Sequence, residues 1–339
     1  MTGERLKPRL ISLCDQSGVV MDPDNDYLCN RMCDFMLQCR SDQTKSKYFN
    51  LFARWEKFAS SKSVTAIPAN PIHIALFITS LLDSGSSYGV ISAVKYSVKF
   101  VHSLHGYDDP TDNPFITNLV ESAKRHSSKP VNKKDVITRD HLIALCSIYT
   151  DSNDLLIIRY LCMILTAFAA FLRFDELVSL KCNDIMFFDN YFSIKIRKSK
   201  TDQYRMGSEV IVAKGDTVAC PFSMMKRYFE IACIDECSDS FLFRPIFRSK
   251  SSCKLIYKNK CLSYTRCREC LVGRLKEVAG NLDIGLHSLR AGGASAAANA
   301  EVNERCWKRH GRWRSESAKD GYIADSLHSR LSVTKSLNL

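Results

Sequence analysis

HSLRAGGASAAANAEVNERCWKRHGRWRSESAKDGY, residues 287–322, is the stretch on which the reading of this chain turns. His287 and Arg290 are three residues apart and share a face if the segment is helical. The glycine-alanine run that follows, Ala291 to Ala300, is small enough for such a helix to pack closely against its neighbours. A basic cluster comes next, Lys308, Arg309, Arg312 and Arg314, with Trp313 inside it. Tyr322 stands nine residues beyond Trp313, in a polar segment with no apolar stripe to bury it. Upstream, Arg173-Phe174-Asp175-Glu176-Leu177 reads R-x-x-E-L. An H-x-x-R alone is a weak signal, since it arises by chance in many helices; these positions together are a strong one.

Working outward, 339 residues are long enough for two domains with separate cores. The formal net charge of +12 favours an anionic partner without naming it. Residues 241–320 carry 17 Lys and Arg against 7 Asp and Glu, so much of the excess surrounds the quoted stretch. Basic surface of that kind points to nucleic acid, with binding that falls steeply as salt rises; a plain solvated surface is the bland alternative. Fifteen cysteines and an N-terminus (MTGERLKPRL) without an apolar stretch fit buried free thiols in a reducing compartment. Cys267 and Cys270 form a single C-x-x-C, short of the two pairs a zinc site wants. The longest apolar run, Tyr160 to Leu172, is too short to span a bilayer, and no membrane partner is expected.

Along the chain, residues 1–24 show no sustained period and are expected to be a loosely ordered lead-in. Residues 25–125 read as helical throughout. Tyr48, Leu51, Phe52, Trp55 and Phe58 define one apolar face. Asn70-Pro71 and Asn113-Pro114 look like N-caps followed by proline at the first helical position. Residues 126–135 fall in a basic stretch, Lys124 to Lys134, that reads as an interdomain linker. It either follows a phosphate backbone or is a solvated tether. The second domain, 136–326, opens with a helix capped by Thr138 or Asp140, followed by an apolar helix from Leu155 to Leu172. Tyr191 to Arg197 alternates as a strand, with Glu209 to Ala213 as its partner. Helices return at Pro221 to Ile234 and at Tyr264 to Val278, the latter ended by Gly280. Residues 327–339 form a C-terminal tail.

The H-x-x-R, the Trp, the Tyr nine residues later and the upstream R-x-x-E-L resemble the signature of the tyrosine recombinases, the phage-integrase family. The resemblance is firm over 136–326 and general in character before that. It implies a mainly α fold with a small β-sheet: a helical N-terminal core-binding (SAM-like) domain plus an α+β tyrosine recombinase catalytic domain. It also implies a reaction, in which Tyr322 attacks a DNA backbone phosphate to leave a 3′-phosphotyrosine and a 5′-hydroxyl. The new ester conserves the energy of the old bond, so rejoining requires neither ATP nor a cofactor. Arg173 and Arg290 would clamp the phosphate, since a planar guanidinium binds phosphate oxygens bidentately and stays charged. Lys200, in the turn of the small sheet, would protonate the leaving oxygen, with Lys198 as its rival. His287 would hydrogen-bond the phosphate or accept the tyrosine proton. Trp313 stands where most members carry histidine; its indole N–H can donate but cannot shuttle a proton. His310 breaks the nine-residue spacing, and Glu176 reads as a structural partner for an active-site cation. An ordinary phenol titrates near ~10, so Tyr322 needs arginines close by.

For DNA contact the expected residues are Lys124, Arg125, Lys129, Lys133, Lys134, Arg312 and Arg314. The partner implied is double-stranded DNA, bound by a homotetramer whose C-terminal tails dock on neighbouring subunits, with Leu327, Leu331 and Val333 as apolar contacts. The local wording, HSLRAGG and then RHGRWRS, is most similar to integrases of eukaryotic DIRS-type and Ngaro-type retroelements, which implies work in the nucleus. A type IB topoisomerase-like nicking enzyme and a domesticated, inactive DNA-binding remnant stay open as alternatives, as does donation of the tyrosine in cis or in trans.

Overall fold

A computed structural model describes residues 2–126, 132–197, 207–249, 253–256 and 258–338 of the chain, which divides into two units, Met1–Asn132 and Lys133–Leu339. The first is built from α1 (Thr2–Gln16), α2 (Pro23–Leu37), α3 (Asp42–Ser61), α4 (Pro71–Asp83), α5 (Tyr88–Leu104) and α6 (Pro114–His126). Both Asn-Pro pairs start helices. Asn70 Oδ1 accepts the N–H of Ile72 at 2.9 Å, and Asn113 Oδ1 accepts that of Phe115 at 3.0 Å, satisfying amides the helix itself leaves open. The face read on α3 buries Phe52 and Trp55 against Ile74 and Phe77 of α4 and Ile91, Val94 and Val98 of α5.

The lead-in is a correction. Residues 2–16 are a helix, because Leu6 and Leu10 are buried against Cys33 of α2. Arg9 anchors it further, donating to the carbonyl of His105 at 3.3 Å and lying over the Tyr107 ring. Pro8, inside α1, obscured this short apolar repeat.

The second unit begins with α7 (Arg139–Ile148), whose N-cap is Thr138, and α8 (Leu155–Ala169). Then come α9 (Phe174–Val178), β1 (Ile185–Phe187), β2 (Tyr191–Ile196), β3 (Ser208–Ala213) and α10 (Pro221–Ile231). The strands form an antiparallel sheet in the order β1-β2-β3. Phe192, Ile194 and Ile196 face the core, and the register sets Val212 opposite Phe192 and Val210 opposite Ile194. A hairpin of β4 (Ile246–Arg248) and β5 (Cys253–Leu255), like β1, is too short to show a period.

The remaining elements are α11 (Tyr264–Cys267), α12 (Gly273–Ala279), α13 (His287–Asn299), α14 (Glu304–His310), α15 (Glu316–Asp320) and α16 (Leu327–Lys335). A π-turn, Arg268–Val272, joins α11 to α12, and the run stops at Gly280, where φ is +55°. Apolar apart from Arg159, Tyr160 and Thr166, α8 is buried, and α10 and α13 pack on it.

The glycine pair of α13 makes that contact possible. A Cβ on Gly292 would lie 2.0 Å from the carbonyl oxygen of Ile137, and one on Gly293 would lie 2.2 Å from that of Phe168. All fifteen cysteines are free thiols. No described helix is long and apolar enough to cross a membrane.

Candidate active site

The first turn of α13 carries both His287 and Arg290. His287 opens the helix and is exposed; Arg290, three residues on, is 0% exposed. Its guanidinium bonds two backbone carbonyls, those of Phe171 and, at 2.6 Å, Gly311. Phe171 ends α8 in the left-handed region, with φ of 48°. A side chain other than glycine holds that conformation at a cost of roughly 1–3 kcal/mol. In doing so its carbonyl serves two cations, since Arg312 Nη2 also donates to it at 3.1 Å.

The hub of the cluster is Glu176. One carboxylate oxygen accepts Arg173 Nη1 at 2.8 Å. The other accepts the Arg173 backbone N–H at 2.9 Å and Arg312 Nη2 at 2.8 Å, and lies 3.9 Å from Arg290 Nη1. Burial alone would push this carboxyl up. Arg312, the Arg173 amide, and the Arg173 and Arg290 guanidiniums outweigh it and hold the carboxyl below its ordinary range. Arg290 is pulled down to about 10, by burial first and then by the like charge of Arg173, and stays protonated at neutral pH. Among the described residues, three guanidiniums thus share one carboxylate, leaving the cluster net cationic.

Aromatic rings cover its open side. The Arg290 guanidinium carbon sits 4.6 Å from the Trp313 ring centroid and 5.0 Å from that of Tyr322. The two rings are 5.5 Å apart, and the His287 ring is 6.4 Å from Tyr322. Gly311 keeps space for the indole: a Cβ there would lie within 2 Å of the Trp313 ring. Trp313 Nε1, Arg290 Nε and Arg312 Nε are buried donors without a protein acceptor among the described residues.

Arg173, His287, Arg290, Trp313 and Tyr322, distant in sequence, therefore lie together. Lys200 and its rival Lys198 fall outside the described residues, as does Lys129. Arg314 is exposed. Lys134 is exposed but ion-paired to Asp283, and the Asp135 N–H donates to the Asp283 carbonyl, so this end of the basic stretch is tied to the second unit. Lys124 and Arg125 close α6 of the first unit, Arg125 beside Glu121.

Arg312 departs from expectation. Its side chain is 7% exposed and bonds Glu176 and the carbonyls of Ala170, His310 and Phe171, so it is an internal brace and not an exposed cation. Nothing in a run of alternating arginines tells which is turned inward; the backbone decides, because Arg312 itself is left-handed, with φ of 58°. His310 is likewise internal, its Nε2 against the Ala169 carbonyl at 2.8 Å and its ring edge-on to Phe171. Burial lowers its pKa.

The fold is that of the tyrosine recombinases. No protein-family model matches the sequence. The chain is 24% identical over 291 residues to the integrase/recombinase xerD homolog of Selenomonas ruminantium, covering 84% of this chain and 82% of that protein. Among solved structures it is similar to the XerH site-specific recombinase bound to a palindromic difH substrate, with a TM-score of 0.60, 15% identity, and 99% and 94% of the two chains covered. It is also similar to a lambda integrase dimer bound to a COC′ core site, with a TM-score of 0.52, 14% identity, and 85% and 91% covered.

Proposed function

We propose that this chain is a site-specific DNA recombinase that cuts and rejoins double-stranded DNA through a 3′-phosphotyrosine on Tyr322. The observation that carries the reading is the convergence of Arg173 and Arg290 on Glu176 with the Tyr322 ring against the Arg290 guanidinium. A phosphodiester repels an incoming phenolate, and its transition state gathers more negative charge. Fixed guanidiniums in a dry, net cationic cluster stabilise that charge without reorganising at the moment of reaction. Trp313 Nε1, a buried donor with no protein acceptor among the described residues, supplies a further hydrogen bond to a phosphate oxygen. Its indole takes no proton, so acid-base work falls to His287 and to a lysine between β2 and β3 in sequence, Lys200 or Lys198.

The reading carries a conformational demand. The Trp313 and Tyr322 rings both cover Arg290, so a phosphate reaches it once that cover opens, and the Tyr322 side chain, as the nucleophile, is the part that turns aside. Attack therefore follows a rotation of the phenol from the arginine's face toward the phosphate that replaces it there.

Exchange between two duplexes needs four active sites, and we assign the working form as a tetramer on DNA. Its link is α16, which buries none of its side chains and leaves Leu327 (70% exposed), Leu331 and Val333 open for a neighbouring subunit. That tail favours recombination over relaxation by a monomeric topoisomerase. The wording shared with retroelement integrases supports insertion of mobile-element DNA into a chromosome, in the nucleus.

The test is a nicked suicide duplex incubated with the protein in the absence of divalent metal. A covalent protein–DNA adduct is expected, and Tyr322→Phe abolishes it. Salt-sensitive binding with no adduct on any substrate would instead identify an inactive remnant.

A further inference from the structure

Lys319 lies outside the arginine cluster, and no step above uses it. Its side chain is only 5% exposed, which an ammonium tolerates when fully compensated. Three carboxylates surround it: Glu304 at the first position of α14, Glu316 at 2.5 Å and Asp320 at 3.4 Å. The same ammonium sits 5.1 Å over the Trp307 ring, and Trp307 meets Trp313 edge-on at 5.9 Å. The backbone carbonyl of Lys319 accepts the N–H of Tyr322 at 2.9 Å. One residue therefore grips α14 through its side chain and the Tyr322 turn through its backbone.

We infer that Lys319 is a positioning residue: its buried ammonium ties α15 to α14 and so sets where the Tyr322 hydroxyl stands relative to Arg290 and Trp313. The short helix needs such a tie. Five residues make barely one turn, too few to be stable alone. Its Ser315 cap bonds within the same turn, accepting the Ala318 N–H at 3.3 Å and meeting the Ser317 hydroxyl at 3.4 Å. Because three carboxylates neutralise Lys319, it offers DNA little net charge, which separates positioning from phosphate contact.

The inference rests on the phosphotyrosine reading and is tested with the full chain, as Lys319→Met and Lys319→Arg. At saturating suicide duplex, Lys319→Met should slow single-turnover adduct formation by roughly 10–100-fold, the scale set by misplacing a nucleophile by about 1 Å. Duplex affinity should fall by much less than the rate, since the buried ammonium presents no face to phosphate, and Lys319→Arg should recover most of the rate. Amide hydrogen exchange over residues 316–324 should accelerate by about tenfold or more in Lys319→Met, with α8 and α13 unaffected.

A full cleavage rate with unchanged exchange in Lys319→Met overturns the proposal. So does a loss of affinity at constant rate, which would make Lys319 a DNA contact, or exchange that rises throughout the second unit. If the wild-type chain forms no adduct, the phosphotyrosine reading fails by itself, and the exchange experiment still decides whether Lys319 holds the turn.

Discussion

The two units bury different kinds of polar group. Among the described residues of the first unit, the buried polar side chains are Ser97, His102, His105 and Thr111, with no Asp, Glu, Lys or Arg among them. Each has a nearby partner, as Ser97 has in the Tyr48 carbonyl at 2.6 Å and Thr111 in Asp109 at 2.7 Å. The second unit buries Arg159, Glu176, Asp184, Arg290 and Lys319. Burying charge is a poor route to stability, since desolvation can exceed the Coulombic return. A helical bundle that only has to fold, like the first unit, does without it. The second unit holds desolvated guanidiniums in fixed positions, and that arrangement makes sense if something anionic is to be held there.

The contrast breaks most visibly at Glu176. Glu176→Ala leaves Arg173, Arg290 and Arg312 without their shared carboxylate, at an expected cost of about 3–5 kcal/mol to the second unit. Urea unfolding followed by amide exchange should show that unit opening earlier, with protection on α3 to α5 unchanged. Equal loss in both units would mean that the cluster is not a local feature of the second.

A smaller effect separates the glycines. Gly292→Ala forces a methyl onto the Ile137 carbonyl, which is backbone and cannot swing away, so a loss of about 1–3 kcal/mol is expected. Gly85 of the first unit has open space around it, but φ of +74°. Gly85→Ala should cost about 1 kcal/mol, through backbone conformation alone. Thermal melts of the two variants check the order.

Acid acts on both sides of the comparison. Burial lowers the pKa of His102 in the first unit and of His310 in the second. The unfolded chain then binds more protons just below the ordinary histidine range, so both units lose stability as pH falls from 7 through that window. Both should lose more at lower pH: in the first unit burial would raise the Asp109 carboxyl, but hydrogen bonds from Thr111 and Lys99 outweigh it and hold that group below its ordinary range, and in the second Glu176 acts the same way. Each depressed carboxyl contributes fully above the unfolded carboxyl pKa, and that contribution disappears as pH falls through its folded value. Stability against pH, read separately on each unit by amide exchange, tests this.

What was legible in the chain followed the same division. Helix starts in the first unit could be read because Asn-Pro pairs act locally, within two residues of the cap. Strands β2 and β3 could be read because alternation is a local pattern as well. That Arg173, Arg290, Trp313 and Tyr322 lie together could be expected from their spacing, which a family resemblance carries even though the contacts are long-range. Among the supporting groups Glu176 could be read, as a partner for a cation, but Phe171 and Lys319 could not. Phe171 matters through its carbonyl and left-handed backbone, which no side-chain pattern encodes, and Lys319 reads as one more charge in a polar segment. Helix α1 was hidden differently, by Pro8 and by a repeat of only a few apolar residues.

The finest test lies within three residues, where Arg312 and Arg314 flank Trp313 and look equivalent in sequence. Arg312 is internal and braces Glu176; Arg314 is exposed. Arg314→Ala should leave stability within about 0.5 kcal/mol, as surface substitutions do. If it touches DNA phosphate, Arg314→Ala should weaken binding uniformly across sequences and reduce the slope of log affinity against log salt by about one. Arg312→Ala should show the opposite pattern: lost stability of the second unit, with a salt slope close to wild type in whatever fraction stays folded. Matching salt slopes for the two variants would show that the turn carrying Arg312 opens when DNA binds, exposing a cation that the free protein keeps inside.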